Sequence, residues 1–360
     1  MTIRQRRPEH ANAEANRFID RARTAELTGA SSEALGWYER ALSWLTAQGP
    51  SVTLADVLRW KGTVHRDCGH TADADRLYEQ SADVAAEAGY AIGEAHALNC
   101  RAGMAQIRGH LDEAERLYTR AVELAIRAGE ARLTAMVQRN LGIVASIRGD
   151  FGAAIARFND SLRRAEGIHD EDGQCRAYNN LGLVHTQRGK YADADQSYGR
   201  AMALARARGD QVAECACRIN RAEALIAAGH YDEARVDLRE ALVVADRRAD
   251  RLRRAEALKC LATLARLRGD SAEANAHLDE AFDLTDATED AVLAAQLRRE
   301  RAEVYQVDNR LDDAVLMFAQ ARERFASVGA VPTVAEIDAR MRAVSAMPVS
   351  AVTATPPLPS

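Results

Sequence analysis

Glycine returns at Gly29, Gly69, Gly109, Gly149, Gly189, Gly229 and Gly269, always 40 residues apart, and Asn309 takes the eighth place. A period of this length, held through most of a chain of 360 residues, restricts the fold to an array of one repeated supersecondary unit. Glycine enters left-handed backbone without steric cost and asparagine is the next best residue there, so the column marks a tight turn.

Three further columns keep the same register. Five residues after each turn stands alanine, at Ala34, Ala74, Ala114, Ala154, Ala194, Ala234, Ala274 and Ala314. Nine residues after it comes a ring or a leucine: Tyr38, Tyr78, Tyr118, Phe158, Tyr198, Leu238, Leu278 and Phe318. Seven residues before it the side chain is minimal, as Ala22, Gly62, Ala102, Gly142, Gly182, Ala222, Ala262 and Ala302. These columns predict a helix ending at the turn, then an antiparallel helix whose alanine lets the backbones approach while its ring fills the space alongside. No proline occurs between Pro50 and Pro332, so nothing there forces a helix break. Gly129-Glu130 and Gly209-Asp210 punctuate the second helices instead, and Gly89 and Gly329 hold that register. Hydrophobic residues make up 47% of the chain but aromatics only 5%, and the difference is largely alanine, the best helix former.

Three residues after the ring comes Ala41, Ser81, Ala121, Ser161, Ala201, Ala241, Ala281 or Ala321, and the order small residue, turn glycine, alanine, aromatic, alanine resembles the tetratricopeptide repeat. The common unit is about 34 residues. A 40-residue unit is similar to the longer-helix variety of kinesin light chains, MalT-type regulators and bacterial signalling-peptide receptors. The resemblance implies an all-α, right-handed superhelical solenoid of helix-turn-helix repeats whose first helices line a concave groove. It covers residues 11–334 as eight units, with an N-terminal arm over 1–10. A capping helix is expected over 335–347, with Ile337, Met341 and Val344 at helical spacing, and a disordered proline-rich tail over 348–360.

Lys plus Arg total 48 against 53 Asp plus Glu, with no strongly basic block, so nucleic-acid binding is not expected. The charged N-terminus leads into no apolar core and no later run approaches a membrane span, so a cytoplasmic chain without membrane insertion is expected. The six cysteines contain no CxxC pair and read as small buried hydrophobes. His65, Cys68 and His70 could offer metal ligands, but no second cluster completes four, so no metal is expected. No phosphate loop, dinucleotide fingerprint, HExxH, GxSxG or kinase motif is present, and neither a cofactor nor catalysis is expected.

On each first helix the face opposite the small column lies two residues away, since two steps of about 100° make about 200°. Asn140, Asn180 and Asn220 occupy that position in repeats four to six, and Asn99 and Asn179 stand one position earlier than this column in their repeats. Asparagine is poor in mid-helix, so three in one column call for a reason. Amides can give and accept hydrogen bonds along an extended peptide, a role the resemblance carries onto these residues. Bonding between neighbouring helices is the alternative use.

Trp60 shares the column in repeat two, where it could anchor a ligand or pack between repeats. Arg59, Arg139 and Arg176 flank it, with Asp56 among them, and make the middle of the groove basic and suited to an acidic segment. Glu223, Glu256, Glu300 and Glu303, beside Lys259 and Arg299, make the later end acidic.

The expected function is a non-catalytic scaffold holding an extended peptide or helix of a partner protein. The alternative is a regulatory sensor whose superhelix responds to a signalling peptide or small ligand and controls an effector. Self-association is left open. If the register is right, Ala154→Leu overpacks a hairpin and lowers stability by roughly 1–3 kcal/mol, measured by chemical denaturation; an unchanged midpoint contradicts the assigned register.

Overall fold

A computed structural model describes residues 8–285 and 291–346; the proposed tail over 348–360 and the first seven residues of the proposed arm lie outside them. The described residues form 17 α-helices and no strand. The helices run in antiparallel hairpins, α1 Pro8–Leu27 with α2 Ser31–Leu45, α3 Val52–Asp67 with α4 Thr71–Glu87, and α5 Ala91–Ile107 with α6 Leu111–Arg127. Then come α7 Ala131–Ile147 with α8 Phe151–Gly167, α9 Glu171–Gln187 with α10 Tyr191–Ala207, and α11 Gln211–Ala227 with α12 Tyr231–Arg248. The remaining helices are α13 Arg251–Leu267 with α14 Ser271–Thr285, α15 Ala291–Val307 with α16 Leu311–Ser327, and α17 Val331–Ser345. The chain divides into two compact units, one of Met1–Arg248 with Ser327–Gly329 and one of Ala249–Ala326 with Ala330–Ser360.

The turn column behaves as its residue types require. Gly29 through Gly269 hold positive φ wherever φ is described for the column, Gly149 at +81°, and Asn309 follows at +57°. At the α7–α8 turn the Gly149 N–H donates to the Ser146 carbonyl and the Asp150 N–H to the Ala145 carbonyl, both at 2.9 Å, which satisfies two carbonyls at the helix end. The Asp150 side chain then accepts the Ala153 N–H at 3.0 Å and opens α8. One aspartate thus ends one helix and starts the next.

The second turns, between hairpins, use the same left-handed step at Gly89, Gly129, Gly209 and Gly329. His169 at φ +54° and Ala249 at φ +52° occupy it without glycine, a conformation that costs an L-residue on the order of 1–2 kcal/mol.

In the second, fourth and fifth hairpins the ring of the second helix lies against the small glycine of the first. A Cβ added to Gly142 would meet the Phe158 ring at 2.5 Å, and one added to Gly182 would meet the Tyr198 ring at 2.6 Å. Ala154 and Ala194, which let the helices come this close, are completely buried.

A second pairing, 19 residues apart, joins the two helices of a hairpin, and its chemistry changes along the chain. Phe18 stacks on Trp37 with ring centroids 5.9 Å apart. Leu58 and Leu77 share one apolar cluster, and Leu98 and Leu117 share another. In the fourth hairpin Arg157 Nη1 donates to Gln138 Oε1 at 2.9 Å. In the sixth, Arg218 Nη1 donates to Asp237 Oδ1 at 2.8 Å, and Arg221 Nη1 meets the other carboxylate oxygen at 3.1 Å. Asp237 is 2% exposed. Burial pushes its carboxyl above the usual carboxylate range, against the pull of Arg221 and Arg218.

The second unit closes with α17, which starts at Val331 with Pro332 in its first turn, four residues earlier than the periodicity of Ile337, Met341 and Val344 suggested. Ile337 and Val344 are buried in a cluster with Ala295, Ala302, Phe318 and Phe325, and Met341 packs against it. At the other end α1 already begins at Pro8, inside the stretch expected to be an arm.

The Asp237 pairing yields a sharp test. Asp237→Ala removes the buried carboxylate shared by Arg218 and Arg221, which keep Glu214, Glu240 and Asp195 as partners, and should cost about 1–3 kcal/mol, whereas Arg218→Leu with Asp237→Leu, the chemistry of the second and third hairpins, should come close to wild type. Urea denaturation of both variants measures it.

Candidate functional site

Within the first unit, successive first helices touch one another: α3 with α5, α5 with α7, α7 with α9 and α9 with α11. Their side chains meet with an offset of one residue per repeat. Asn140 Nδ2 donates to Asn99 Oδ1 at 2.9 Å, and Asn220 Nδ2 donates to Asn179 Oδ1 at 3.0 Å. The Ser146 hydroxyl donates to Gln187 Oε1 at 3.0 Å. All three bonds span 41 residues, and so the first-helix face carries a ladder whose rungs cross from one repeat to the next.

The ladder sorts the candidate residues. Asn99, Asn140, Asn179 and Asn220 are half-buried and bonded in pairs, each amide keeping part of its hydrogen-bonding capacity. Arg139 and Asn180 stand at the same 41-residue offset. Both are half-buried, and neither has a hydrogen-bond or ion-pair partner among the described residues. Burial, and next the charge of Arg176, hold the Arg139 guanidinium below the usual arginine range.

The other two arginines are committed. Arg59 Nη2 meets Asp56 Oδ1 at 2.8 Å, and exposed Arg176 donates from Nε to Asp172 Oδ2 at 2.8 Å. Asp172 also accepts Arg208 at 3.1 Å. The basicity expected of the middle of this face therefore rests on Arg139. Trp60 is packed against the core of the first two hairpins, with the Arg23 guanidinium 5.0 Å above its ring.

In the second unit the glutamates expected to make an acidic surface are held by arginines. Arg253 meets Glu256 at 2.6 Å, and Arg266 meets Glu300 at 2.6 Å and Glu303 at 3.3 Å. Lys259 donates to Gln296 at 3.0 Å.

The rings of His65 and His70 approach to 5.6 Å, but among the described residues no group of three His, Cys, Asp or Glu stands close enough to hold a metal ion. Cys175 and Cys215 are buried, and their thiols lie 3.3 and 3.4 Å from the Ala201 and Ala241 carbonyls.

Sequence reasoning aligned the asparagines at a spacing of 40 and so did not pair Asn99 with Asn140 or include Gln187. The offset of 41 is the signal that finds these pairs, and it follows from how neighbouring helices cross.

The tetratricopeptide-repeat family model matches residues 93–167 and 173–246. Those two stretches of the first unit match the tetratricopeptide repeat. Among solved structures the repeat array is similar to the apo form of RapI, with a TM-score of 0.64 at 14% identity, over 76% of this chain and 98% of that one. It is also similar to a Rap protein complexed with Competence and Sporulation Factor, with a TM-score of 0.59 at 14% identity, over 94% and 98% of the two chains. A tetratricopeptide-repeat protein from Parabacteroides merdae ATCC 43184 aligns with a TM-score of 0.54 at 18% identity, over 81% and 98%. These likenesses are of fold. No curated protein sequence matches the chain.

The ladder makes a stability prediction that separates its members. Asn140→Ala and Asn220→Ala each break a rung and should cost about 0.5–1.5 kcal/mol, while Asn180→Ala, which breaks none, should leave the thermal midpoint within about a degree of wild type. Equal losses for all three would contradict the pairing.

Proposed function

We propose that the chain is a non-catalytic scaffold that holds an extended peptide segment of a partner protein across the first-helix face of its first unit. The observation that carries this reading is the amide ladder: rungs at the α5–α7 and α9–α11 junctions leave carbonyl and N–H groups spare at regular intervals. An extended backbone offers the complementary groups at every residue. The fixed amides need no rearrangement to receive it, which lowers the ordering cost of binding.

The partner is a protein, with no role for nucleic acid, a cofactor or a metal ion. No helix among the described residues is long and apolar enough to cross a membrane, and a cytoplasmic setting suits such a scaffold. Copies of the chain could also serve as one another's partner.

A second reading is a sensor that changes shape on binding a signalling peptide and so controls an effector. It is supported by likeness in fold to the Rap protein complexed with Competence and Sporulation Factor.

A quantitative pull-down from lysate, with wild type against Asn140→Ala/Asn180→Ala/Asn220→Ala, tests the first reading. Polypeptides retained by the wild type should be depleted at least fivefold with a variant whose circular dichroism spectrum is unchanged. Identical retention sets the first-helix face aside. Small-angle scattering with a retained peptide then separates the readings, an unchanged radius of gyration belonging to the scaffold and a changed one to the sensor.

A further inference from the structure

Cys175 on α9 and Cys217 on α11 meet where the fifth and sixth hairpins adjoin. Both are 2% exposed, and they lie in one cluster with Ala201, Met202 and Ala205. The two helices touch along this junction, and about one turn further on Asn179 and Asn220 bond each other across it. The Cys217 thiol donates a hydrogen bond to the Cys175 sulfur.

Packing alone does not call for two thiols here. The pair stands 42 residues apart on successive first helices, and the equivalent pairs of the first unit include Ala55 with Ala97, Ala95 with Val137 and Ala135 with Ala177, all buried. Small apolar side chains fill the position elsewhere, so the α9–α11 junction adds a chemistry that its packing does not need. Cys215 is not part of it. Two steps of about 100° turn its side chain to another side of α11, where its thiol lies 3.4 Å from the Ala241 carbonyl of α12.

The thiolate is the reactive form of cysteine, and a hydrogen-bond donor or a cation beside it favours that form. The Cys217 hydrogen bond holds the Cys175 thiol below the usual thiol range against the opposing effect of burial, and the charge of Arg208 acts in the same direction.

From this placement we infer that Cys175 and Cys217 are a redox-active pair that hydrogen peroxide converts to a disulfide, stapling α9 to α11. In the first step the Cys175 thiolate attacks one peroxide oxygen. An S–O bond forms, the O–O bond breaks, and the departing hydroxide takes up the thiol proton and becomes water. The Cys217 sulfur then attacks the sulfur of the Cys175 sulfenic acid. The S–S bond forms, the S–O bond breaks, and the second hydroxide leaves as water with the Cys217 proton. The two sulfurs together give up two electrons, which the peroxide oxygens receive.

The test uses the full chain, reduced, desalted and treated with a few equivalents of hydrogen peroxide before the remaining thiols are alkylated. Trypsin without further reduction should release Ala165–Arg176 joined to Gly209–Arg218, lighter by two hydrogen atoms than the separate peptides. This species should exceed every other disulfide-linked pair about tenfold or more. Cys217→Ala should remove the linkage and leave Cys175 as a sulfenic acid that dimedone traps, whereas Cys215→Ala, in the same tryptic peptide, should retain it. Oxidation should slow amide hydrogen exchange in α9 and α11 about fivefold or more, and dithiothreitol should restore the original rates.

A linkage that survives Cys217→Ala overturns the assignment, as do disulfides spread over several pairs or formed between molecules. Cys175 that stays reduced, or that reaches the sulfinic acid without a linkage, overturns it equally. A linkage that leaves exchange in both helices unchanged overturns the staple. Thermal melts of each reduced variant, expected within a few degrees of wild type, exclude unfolding as the cause of a lost linkage. Should Cys217→Ala melt lower, Cys217→Val, with the side chain of the equivalent Val137, takes its place.

Discussion

Close approach of two helix backbones, wedged by one large side chain, is the constraint from which the rest of the array follows. Phe158 over Gly142 and Tyr198 over Gly182 leave no room for even a methyl group on the glycine. Such contact fixes the rotation of both helices about their own axes, and the side chains two positions from the small residue must then face away from the hairpin. Residues such as Asn140 and Asn180 reach the first-helix face because the opposite side of their helix is occupied by a ring.

Close packing and variable polar chemistry are assigned to different columns of the same helix. The inward columns are alanine, glycine and aromatic, with almost no freedom of choice, since interiors packed at crystal density feel a single methylene. The outward columns vary from repeat to repeat: apolar Trp60 near the start, amides in the middle, and Arg266, Glu300 and Glu303 in the second unit. In the proposed reading, a peptide lying over the first helices of the first unit meets a different chemistry at each step while the framework beneath it is unchanged. In such an array specificity can be altered one helix at a time.

Local chemistry written in residue type was legible in the sequence. The turn glycines, Asn309, the alanine and ring columns, and the Gly-Asp starts of helices each follow from a backbone or packing requirement that only a few residues meet. His169 and Ala249 were not legible by type, because neither residue favours the left-handed backbone it adopts. Only their places 40 residues from Gly129 and Gly209 mark them.

The site was legible in part. Its face followed from helical geometry, and the commitment of Arg59 and Arg176 to Asp56 and Asp172 could have been seen in their spacing of three and four residues. The pairing of Asn99 with Asn140 depends on the crossing of two helices in space, which no column of identical residues records. The Arg218–Asp237 pair escaped for a similar reason, because its partners sit in columns that elsewhere hold leucines.

The pairing 19 residues apart also bears on how such a chain can be lengthened or recombined. Five of the hairpins carry both halves of such an internal contact: two leucines in one, an arginine and an aspartate in another. A crossover between hairpins keeps every such contact whole. A crossover within a hairpin would bring Asp237 against Leu98 or Arg218 against Leu117 and bury a charge without its counter-ion. The unit of inheritance that this architecture tolerates is therefore the complete hairpin, cut at the turns between hairpins, and the diversity of its internal contacts records how far each copy has drifted as a matched pair of helices.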